Sequence, residues 1–526
     1  MSAAPGSAWL RRLPRASACA AVSRCWPRSA PSGCSRGCRQ APGSWSPWER
    51  PSPGSADGGW SVAGVEPVRS RRRCTEMAET YDLVVVGAGM AGVAAANKCA
   101  SSGWRVAIVD ALPYGGTCAL RGCDPKKILR RGAEIIDGAR LMRGKGIDGQ
   151  GLRIDWADLM RHKRGFTDPV PDNLERDLAG HGVETLHGNA RFLGGNTVEI
   201  AGASVESRHF LVATGARPRA LAFPGHEHLI DSTDFLDLER LPARILFVGG
   251  GFISFEFAHI ATRAGSATTV VDRGPRPLRG FDPDLVDLLL GRSRQAGIAV
   301  RPATTVTAIA KDKAGYQVTL ETPEGSETIE CDLVVHGAGR EADLAGLDLE
   351  AAGVEWSPRG VRVAGHLQST TNPAVYAAGD SADTPGMPLT PVAVFEGRVA
   401  ASNMVNGTTR APDYAGVPTA VFTIPELARV GLLEREARER GLDVDVRFND
   451  TSGWYSNYRT GETTAAAKIL VDRATDRVVG AHLLGPEYAE LINVLGLAIK
   501  LGLTTRQLKS TTAAYPTVGS DLGSML

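Results

Sequence analysis

The sequence predicts an α/β protein: two Rossmann-like dinucleotide-binding domains and a C-terminal α+β domain, and three stretches carry that expectation. Two are glycine-rich turns, Gly87-Ala-Gly-Met-Ala-Gly92 and Gly249-Gly-Gly-Phe-Ile-Ser254, each set between an apolar strand and a helix. The third follows the first unit and reads Gly115-Gly-Thr-Cys-Ala-Leu-Arg-Gly-Cys-Asp-Pro-Lys-Lys127, with Cys118 and Cys123 five positions apart.

The first unit begins at Leu83-Val-Val-Val86, a run apolar on both faces as a buried parallel strand requires. An alanine-rich helix from Val93 to Ala100 and a strand from Arg105 ending at Asp110 complete a βαβ fingerprint. In it Gly87 makes the tight turn, Gly89 admits a pyrophosphate, Gly92 packs helix on strand, and Asp110 is spaced to take a ribose hydroxyl. The second unit runs from Arg244-Ile-Leu-Phe-Val248 through its own turn to a strand ending at Asp272-Arg273, with Ser254 as the third small residue. Short strands at Phe210–Val212, Leu333–His336 and Ala374–Ala377 end in glycine turns, and Asp380 is placed to bind a polyol chain. Thr390-Pro391 opens a helix over Val392–Asn403, with proline at a favoured first position. Beyond Ala411, strands at Val421–Thr423, Lys468–Asp472 and Val478–Leu484 and a helix over Ala489–Leu501 form a module without a nucleotide fingerprint, suited to pairing two subunits. His482 reads there as a strand histidine satisfied locally.

A chain of 526 residues suggests three or four domains. The expected division is an extension over 1–76, a first dinucleotide domain in two parts (77–232 and 356–410), a second over 233–355, and the pairing module over 411–526. The net charge of +1 gives no case for nucleic acid, and no run approaches the ~18 apolar residues of a membrane span. Five of the nine cysteines fall in the first 76 residues, and the remaining four match cytosolic usage, so a cytoplasmic location is expected. Residues 1–76 carry twelve arginines, no lysine and nine prolines, without apolar periodicity. Disorder is expected there. An organelle leader is one reading; an extension upstream of a start at Met77 is the one we favour.

The cysteine pair poses a geometric problem. Five residues of regular helix advance roughly 7.5 Å, beyond the ~4.4–6.8 Å between Cα atoms that a disulfide accepts. A bond therefore requires a distorted first turn, for which Gly115, Gly116 and Gly122 provide the freedom. Lys126, Lys127 and a helix N-terminus favour thiolates, and the reading is a redox disulfide. A structural pair or half a zinc site is the alternative; zinc pairs usually have tighter spacing, and only Cys99 and Cys331 remain after residue 76, so no resident metal is expected.

With these pieces the chain resembles the pyridine nucleotide–disulfide oxidoreductases, in the branch of glutathione reductase, dihydrolipoyl dehydrogenase and mercuric reductase. The motifs are Gly87-x-Gly-x-x-Gly92, Gly116-Thr-Cys-x4-Cys-x-Pro-Lys126, Ala213-Thr-Gly215, Gly249-x-Gly-Phe-Ile-x-x-Glu256, Gly379-Asp380, Leu389-Thr-Pro391, Val417-Pro-Thr-x-Val-Phe-Thr-x-Pro-Glu426 and Gly480-Ala-His-Leu-x-Gly485. The resemblance spans about Tyr81 to Leu526. It implies FAD in the first unit, NADP or alternatively NAD in the second, and a homodimer in which C-terminal segments complete each other's sites. It implies that electrons pass from the nicotinamide to the flavin, then to Cys118–Cys123 and a small disulfide or thiol-reactive substrate. Cys123 is then the thiolate beside the flavin and Cys118 the exchanging thiol. Lys126 pairs with Glu256, and Phe252 gates the nicotinamide pocket. The implied cofactor residues further include Met90, Gly116, Thr117, Ala190, Ala213, Thr214, Gly215, Leu389 and Thr390. Gly249, Gly251, Ile253, Asp272, Arg273, Arg279, Gly339, Arg340, Gly379 and Asp380 complete the set.

The chain departs from the pattern at its end. Family members that reduce disulfides carry His-Pro-Thr and a following glutamate; here the segment is Tyr515-Pro516-Thr517, with Ser520 in place of the acid. A phenol near pKa 10 is a weaker base at neutral pH than histidine near 6.5. Tyr515 is therefore either a proton donor or a packed interface aromatic. Of three features tied to glutathione, only Arg398 is matched: Asn97 stands where an arginine is expected, and no tyrosine occurs between Tyr114 and Tyr316. Asp272 favours NADH and Arg273 and Arg279 favour NADPH; the expectation is NADPH. A metal-ion or quinone reductase and a flavin redox sensor are the competing functions.

Overall fold

The computed structural model describes residues 80–526, so the extension expected over 1–76 lies outside the described residues. The first sheet has seven strands. Val183–His187, Val106–Asp110, Thr80–Val86 and Ala203–Val212 run parallel in that order, and Val375–Ala377 joins the last of them, also parallel. An antiparallel arm of Ala190–Gly194 and Thr197–Ile200 extends Ala203–Val212. That arm explains why the strand expected from Phe210 begins at Ala203: its early residues alternate exposed and buried while the rest are fully buried.

Leu83, Val84 and Val85 are completely buried, as a central parallel strand demands. The helix Met90–Ala100 lies against Thr390–Asn406, and a glycine makes the crossing possible: a Cβ on Gly397 would stand 2.3 Å from the Ala91 carbonyl oxygen. The second helix begins at Thr390, earlier than its apolar pattern suggests, and ends at Gly407 in a left-handed conformation.

The second unit has a four-stranded parallel sheet in the order Ile298–Arg301, Ala267–Val271, Arg244–Val248, Leu333–His336. A three-stranded antiparallel meander over 305–331, not foreseen from the sequence, is inserted before its last strand. The C-terminal module is a five-stranded antiparallel sheet covered by the helix Tyr488–Leu501. Its first strand is Thr419–Val421, ending before the expected Thr423, because the Phe422 N–H turns away to donate to Glu256 at 2.9 Å.

Buried ion pairs join the three parts. Asp137, on the helix Cys123–Leu141 that carries the second redox cysteine, accepts from Arg263 at 2.8 Å and from Arg292 at 2.7 Å. Arg292 also pairs with Glu462 of the C-terminal module at 3.1 Å. Each charge is answered inside the cluster, so removing one member strands its partners in low dielectric.

Candidate active site

The strand ends of both dinucleotide units open into one cavity of about 2040 Å³. Small-molecule pockets typically hold roughly 300–1,000 Å³, so the space suits two dinucleotides. Its walls include Gly87, Gly89, Met90, Asp110, Gly116, Thr117, Ala190, Ala213, Thr214, Gly215, Gly379, Asp380, Leu389 and Thr390. Gly249, Gly251, Phe252, Ile253, Asp272, Arg273, Arg279, Gly339 and Arg340 line the second region, and Cys118, Cys123, Lys126 and Glu256 lie on the same cavity. Gly92 works from outside: a Cβ there would meet the Gly87 carbonyl oxygen at 2.0 Å, so helix and turn close only around glycine. A Cβ on Gly249 would stand 2.5 Å from the Gly337 carbonyl oxygen, so the second turn needs glycine where the segment after Leu333–His336 packs against it.

These walls fit a dinucleotide. The helix Met90–Ala100 has no acidic residue in its first turn and no side-chain cap, which leaves its N-terminal amides available to phosphate. Thr214 Oγ1 is buried without a hydrogen-bond partner among the described residues, as a group reserved for a ligand would be. Asp110 closes the turn, accepting from Ala88 N–H at 2.8 Å and Leu112 N–H at 2.9 Å. Asp380 is held protonated more readily than usual by burial, against the pull of Arg340.

The distortion required of the cysteine segment is present. Thr117–Arg121 forms a π turn, Gly122 breaks it with an irregular backbone, and Cys123 starts the following α-helix. A Cβ on Gly122 would meet the Thr117 carbonyl oxygen at 2.8 Å, so the break requires glycine. The cysteines stand as two free thiols, the reduced form of the expected disulfide, and each is the largest influence on the other's ionisation. The neighbouring Cys118 side chain lowers the Cys123 thiol to about 6; Thr390, Lys126 and Lys127 also favour its thiolate, against burial. The same coupling, reinforced by burial, pushes Cys118 well above the ordinary thiol range. The pair therefore holds one shared proton, resting on Cys118, and a thiolate on Cys123, whose sulfur lies 3.7 Å from Thr390 Oγ1.

Behind the thiols, Glu256 is 2% exposed and accepts from Lys126 at 2.8 Å, from Lys127 at 3.3 Å and from Phe422 N–H. Burial alone would raise its pKa, but the two ammonium groups outweigh burial and hold it ionised. Lys127, expected to favour the thiolate, also pairs with Glu256, which the sequence did not indicate, and its Nζ lies 3.4 Å from the centre of the Phe422 ring. Glu396 was not singled out from the sequence. This buried acid of the helix Thr390–Asn406 accepts from Gly379 N–H at 2.7 Å, Thr384 at 2.8 Å and Tyr414 at 2.6 Å, fixing the turn that carries Asp380. A carboxylate inside an otherwise apolar helix was the available signal. Phe252 is half exposed on the cavity wall, with Lys126 Nζ 5.1 Å from its ring centre.

Tyr515 is not among the residues lining this cavity; it is 82% exposed, within an exposed run over 509–517. His482 is fully buried, its Nε2–H donates to Leu432 O at 3.0 Å, and burial lowers its pKa to about 3, which makes it a structural histidine. Arg398 is exposed, and Asn97 Oδ1 is buried without a partner among the described residues.

Comparison with known proteins agrees with this geometry. Residues 81–397 match the family model described as pyridine nucleotide-disulphide oxidoreductase, and residues 417–525 match the dimerisation domain of the same family. A glutathione reductase from Burkholderia cepacia is 34% identical over 441 residues, 84% of this chain and 97% of that protein. A mercuric reductase from Bacillus cereus is 31% identical, over 84% of this chain and 70% of its own length. The structure of the Cu(II) complex of the HOCl-induced flavoprotein disulfide reductase RclA from Escherichia coli superposes with a TM-score of 0.76 at 25% identity, covering 85% of this chain and 99% of that one. The chain thus belongs to the pyridine nucleotide–disulphide oxidoreductases, as a homodimeric, NAD(P)H-dependent FAD enzyme of the disulfide oxidoreductase type.

Proposed function

We propose that the chain uses NADPH to reduce a low-molecular-weight disulfide or a related thiol-reactive compound in the cytoplasm. The coupled thiol pair on the cavity wall, with the proton favoured on Cys118 and the charge on Cys123, carries this reading. When bound, the flavin and nicotinamide supply the electron pair that regenerates the two thiols. The chain's own residues perform the exchange. The proton of Cys118 passes to Cys123, and the Cys118 thiolate attacks one sulfur of the substrate. A mixed disulfide forms and one substrate thiolate departs, taking the proton from Cys123. Cys123 then attacks the Cys118 sulfur, closes the intramolecular disulfide and expels the second thiolate.

In this scheme the Glu256–Lys126–Lys127 cluster fixes the positive field at Cys123. Tyr515, exposed in its own chain, is offered to the site of the second copy as a proton donor to the leaving thiolate. The NADPH preference is supported by Arg273 and Arg279 on the cavity beyond the strand Ala267–Val271, against the single acid Asp272. The domain division at residues 232, 355 and 410 is part of the proposal, as is a function without nucleic-acid or membrane partners. Among the described residues no helix is long and apolar enough to cross a membrane.

Metal-ion reduction is the second reading, favoured by the absence of a histidine at Tyr515 and by the mercuric reductase and Cu(II)-complexed relatives. No group of three potential ligands exists among the described residues, so the two thiols would be the metal's principal contact. Steady-state NADPH oxidation with glutathione disulfide, lipoamide, mycothiol-type disulfides, mercuric ion, cupric ion and quinones separates the readings. Turnover on a disulfide that disappears in C118S supports the first. Turnover confined to metal ions or quinones rejects it, and a higher kcat/KM with NADH overturns the cofactor preference.

A further inference from the structure

We propose that Arg121, the last residue of the π turn between the cysteines, is a cationic ligand for the FAD pyrophosphate and thereby couples flavin binding to the shape of the redox loop. The inference rests on FAD occupying the first dinucleotide unit.

Three observations place the guanidinium there. The turn starts on the phosphate loop itself, since a Cβ on Gly116 would lie 2.6 Å from the Gly89 Cα. Arg121 ends that turn and opens into the cavity alongside Gly87, Thr117 and Arg340. It also lies within the electrostatic reach of Asp110, whose carboxylate accepts from Ala88 N–H of the phosphate loop, of Arg340 and of Asp231. A pyrophosphate at this glycine turn would meet the uncapped N-terminus of the helix Met90–Ala100 on the same cavity that Arg121 and Arg340 line.

The side chain is also unspent. Arg130, Arg263 and Arg292, the buried arginines near the redox helix, each pair with a carboxylate, whereas Arg121 is partly buried. Arg121 forms no ion pair within 4 Å and no hydrogen bond among the described residues. Among the described residues the Arg340 side chain bonds only the Ala216 carbonyl oxygen. Burial makes both guanidiniums easier to deprotonate than usual, and Arg340 further opposes the charge on Arg121 while Asp110 and Asp231 support it. Two desolvated guanidiniums on one cavity, neither in an ion pair within 4 Å among the described residues, suit a polyanion, and the planar fork of arginine suits phosphate oxygens. Because Arg121 lies between Cys118 and Cys123, the same contact holds the π turn that brings their sulfurs together.

The test uses full-length holoenzyme. FAD release on dilution, read by flavin fluorescence, is compared for wild type, R121A, R121Q and R121K, together with the rise in melting temperature on adding excess FAD. The expected result is an FAD Kd raised on the order of 10- to 100-fold in R121A and R121Q and less in R121K. The salt dependence of FAD binding should be shallower in R121A, and NADPH affinity of the flavin-loaded variants unchanged. The inference is overturned if R121A and R121Q hold FAD within about twofold of wild type. It is equally overturned if the melting temperatures without FAD fall while the FAD-induced rise is retained. Should wild type itself bind no FAD, the flavin assignment fails, a result distinct from equal binding by all four proteins. If R121A does not fold, R121Q and R121K decide.

Discussion

Replacing Cys118 with alanine removes the thiol that donates to the Cys123 sulfur, the largest influence holding Cys123 at about 6. A hydrogen bond to a charged group is worth about 1.5–3 kcal/mol, and each pKa unit corresponds to about 1.4 kcal/mol. The Cys123 pKa in C118A should therefore rise by about 1–2 units, while Lys126, Lys127 and Thr390 keep it below the ordinary thiol value. C118S, which retains a donor at the same place, should stay closer to wild type. The assay is a pH titration of the long-wavelength thiolate–flavin absorbance, using reduced wild type under anaerobic conditions and the single-cysteine variants as isolated. In wild type the band should be present above about pH 6 and fade below it. C123S should lack the band at every pH. An unshifted midpoint in C118A, or a band that survives in C123S and vanishes in C118S, would refute the assignment of the thiolate.

Three further outcomes follow from the same structure. Glu256→Gln leaves Lys126 and Lys127 buried against a neutral amide, and denaturant unfolding should register a loss of about 3–5 kcal/mol; a loss under about 1 kcal/mol would mean the cluster is relaxed by water. Asp137→Asn strands Arg263 and Arg292 in the junction of the three parts, with a loss of similar order, about 3–5 kcal/mol, and earlier proteolysis around the second unit; unchanged melting contradicts the coupling. For pH, His482 has a folded pKa of about 3, below its ordinary 6.5, so the unfolded chain binds a proton first and stability should drop as pH falls from about 6.5 toward 3. Replacing His482 with glutamine should flatten that part of the profile, and an unaltered slope would remove His482 as its source.

The dinucleotide turns were legible because their constraints are local. Gly87 and Gly249 take φ of 109° and 104°, and Gly92 meets the Gly87 carbonyl oxygen inside the same turn, so spacing encodes them, although Ala213 and Gly337 crowd Gly87 and Gly249 from distant strands. The distorted turn at Cys118–Cys123 was likewise legible, since helix rise and disulfide reach conflict without it. Other features depend on distant neighbours. The meander over 305–331 alternates weakly and is fixed by strand pairing, which a periodicity count does not capture. Lys127 meets Glu256 only because the Phe422 N–H and ring close the pocket from a segment almost three hundred positions away. The sequence carries no signal that singles out Arg121, and its setting near Asp110 and Arg340 emerges once the π turn folds onto Gly89. Tyr515 is exposed in the single chain, so no packing contact in that chain indicates its role.

The most direct measurement of the central claim is an anaerobic reductive titration of the purified holoenzyme with NADPH or dithionite, counting electrons taken up per bound flavin. The account predicts one electron pair beyond the pair that the flavin accepts, with the thiolate–flavin band rising midway, and loss of that extra pair in both C118S and C123S. Uptake that stops at the flavin's own pair in the wild-type protein, without the band, contradicts it.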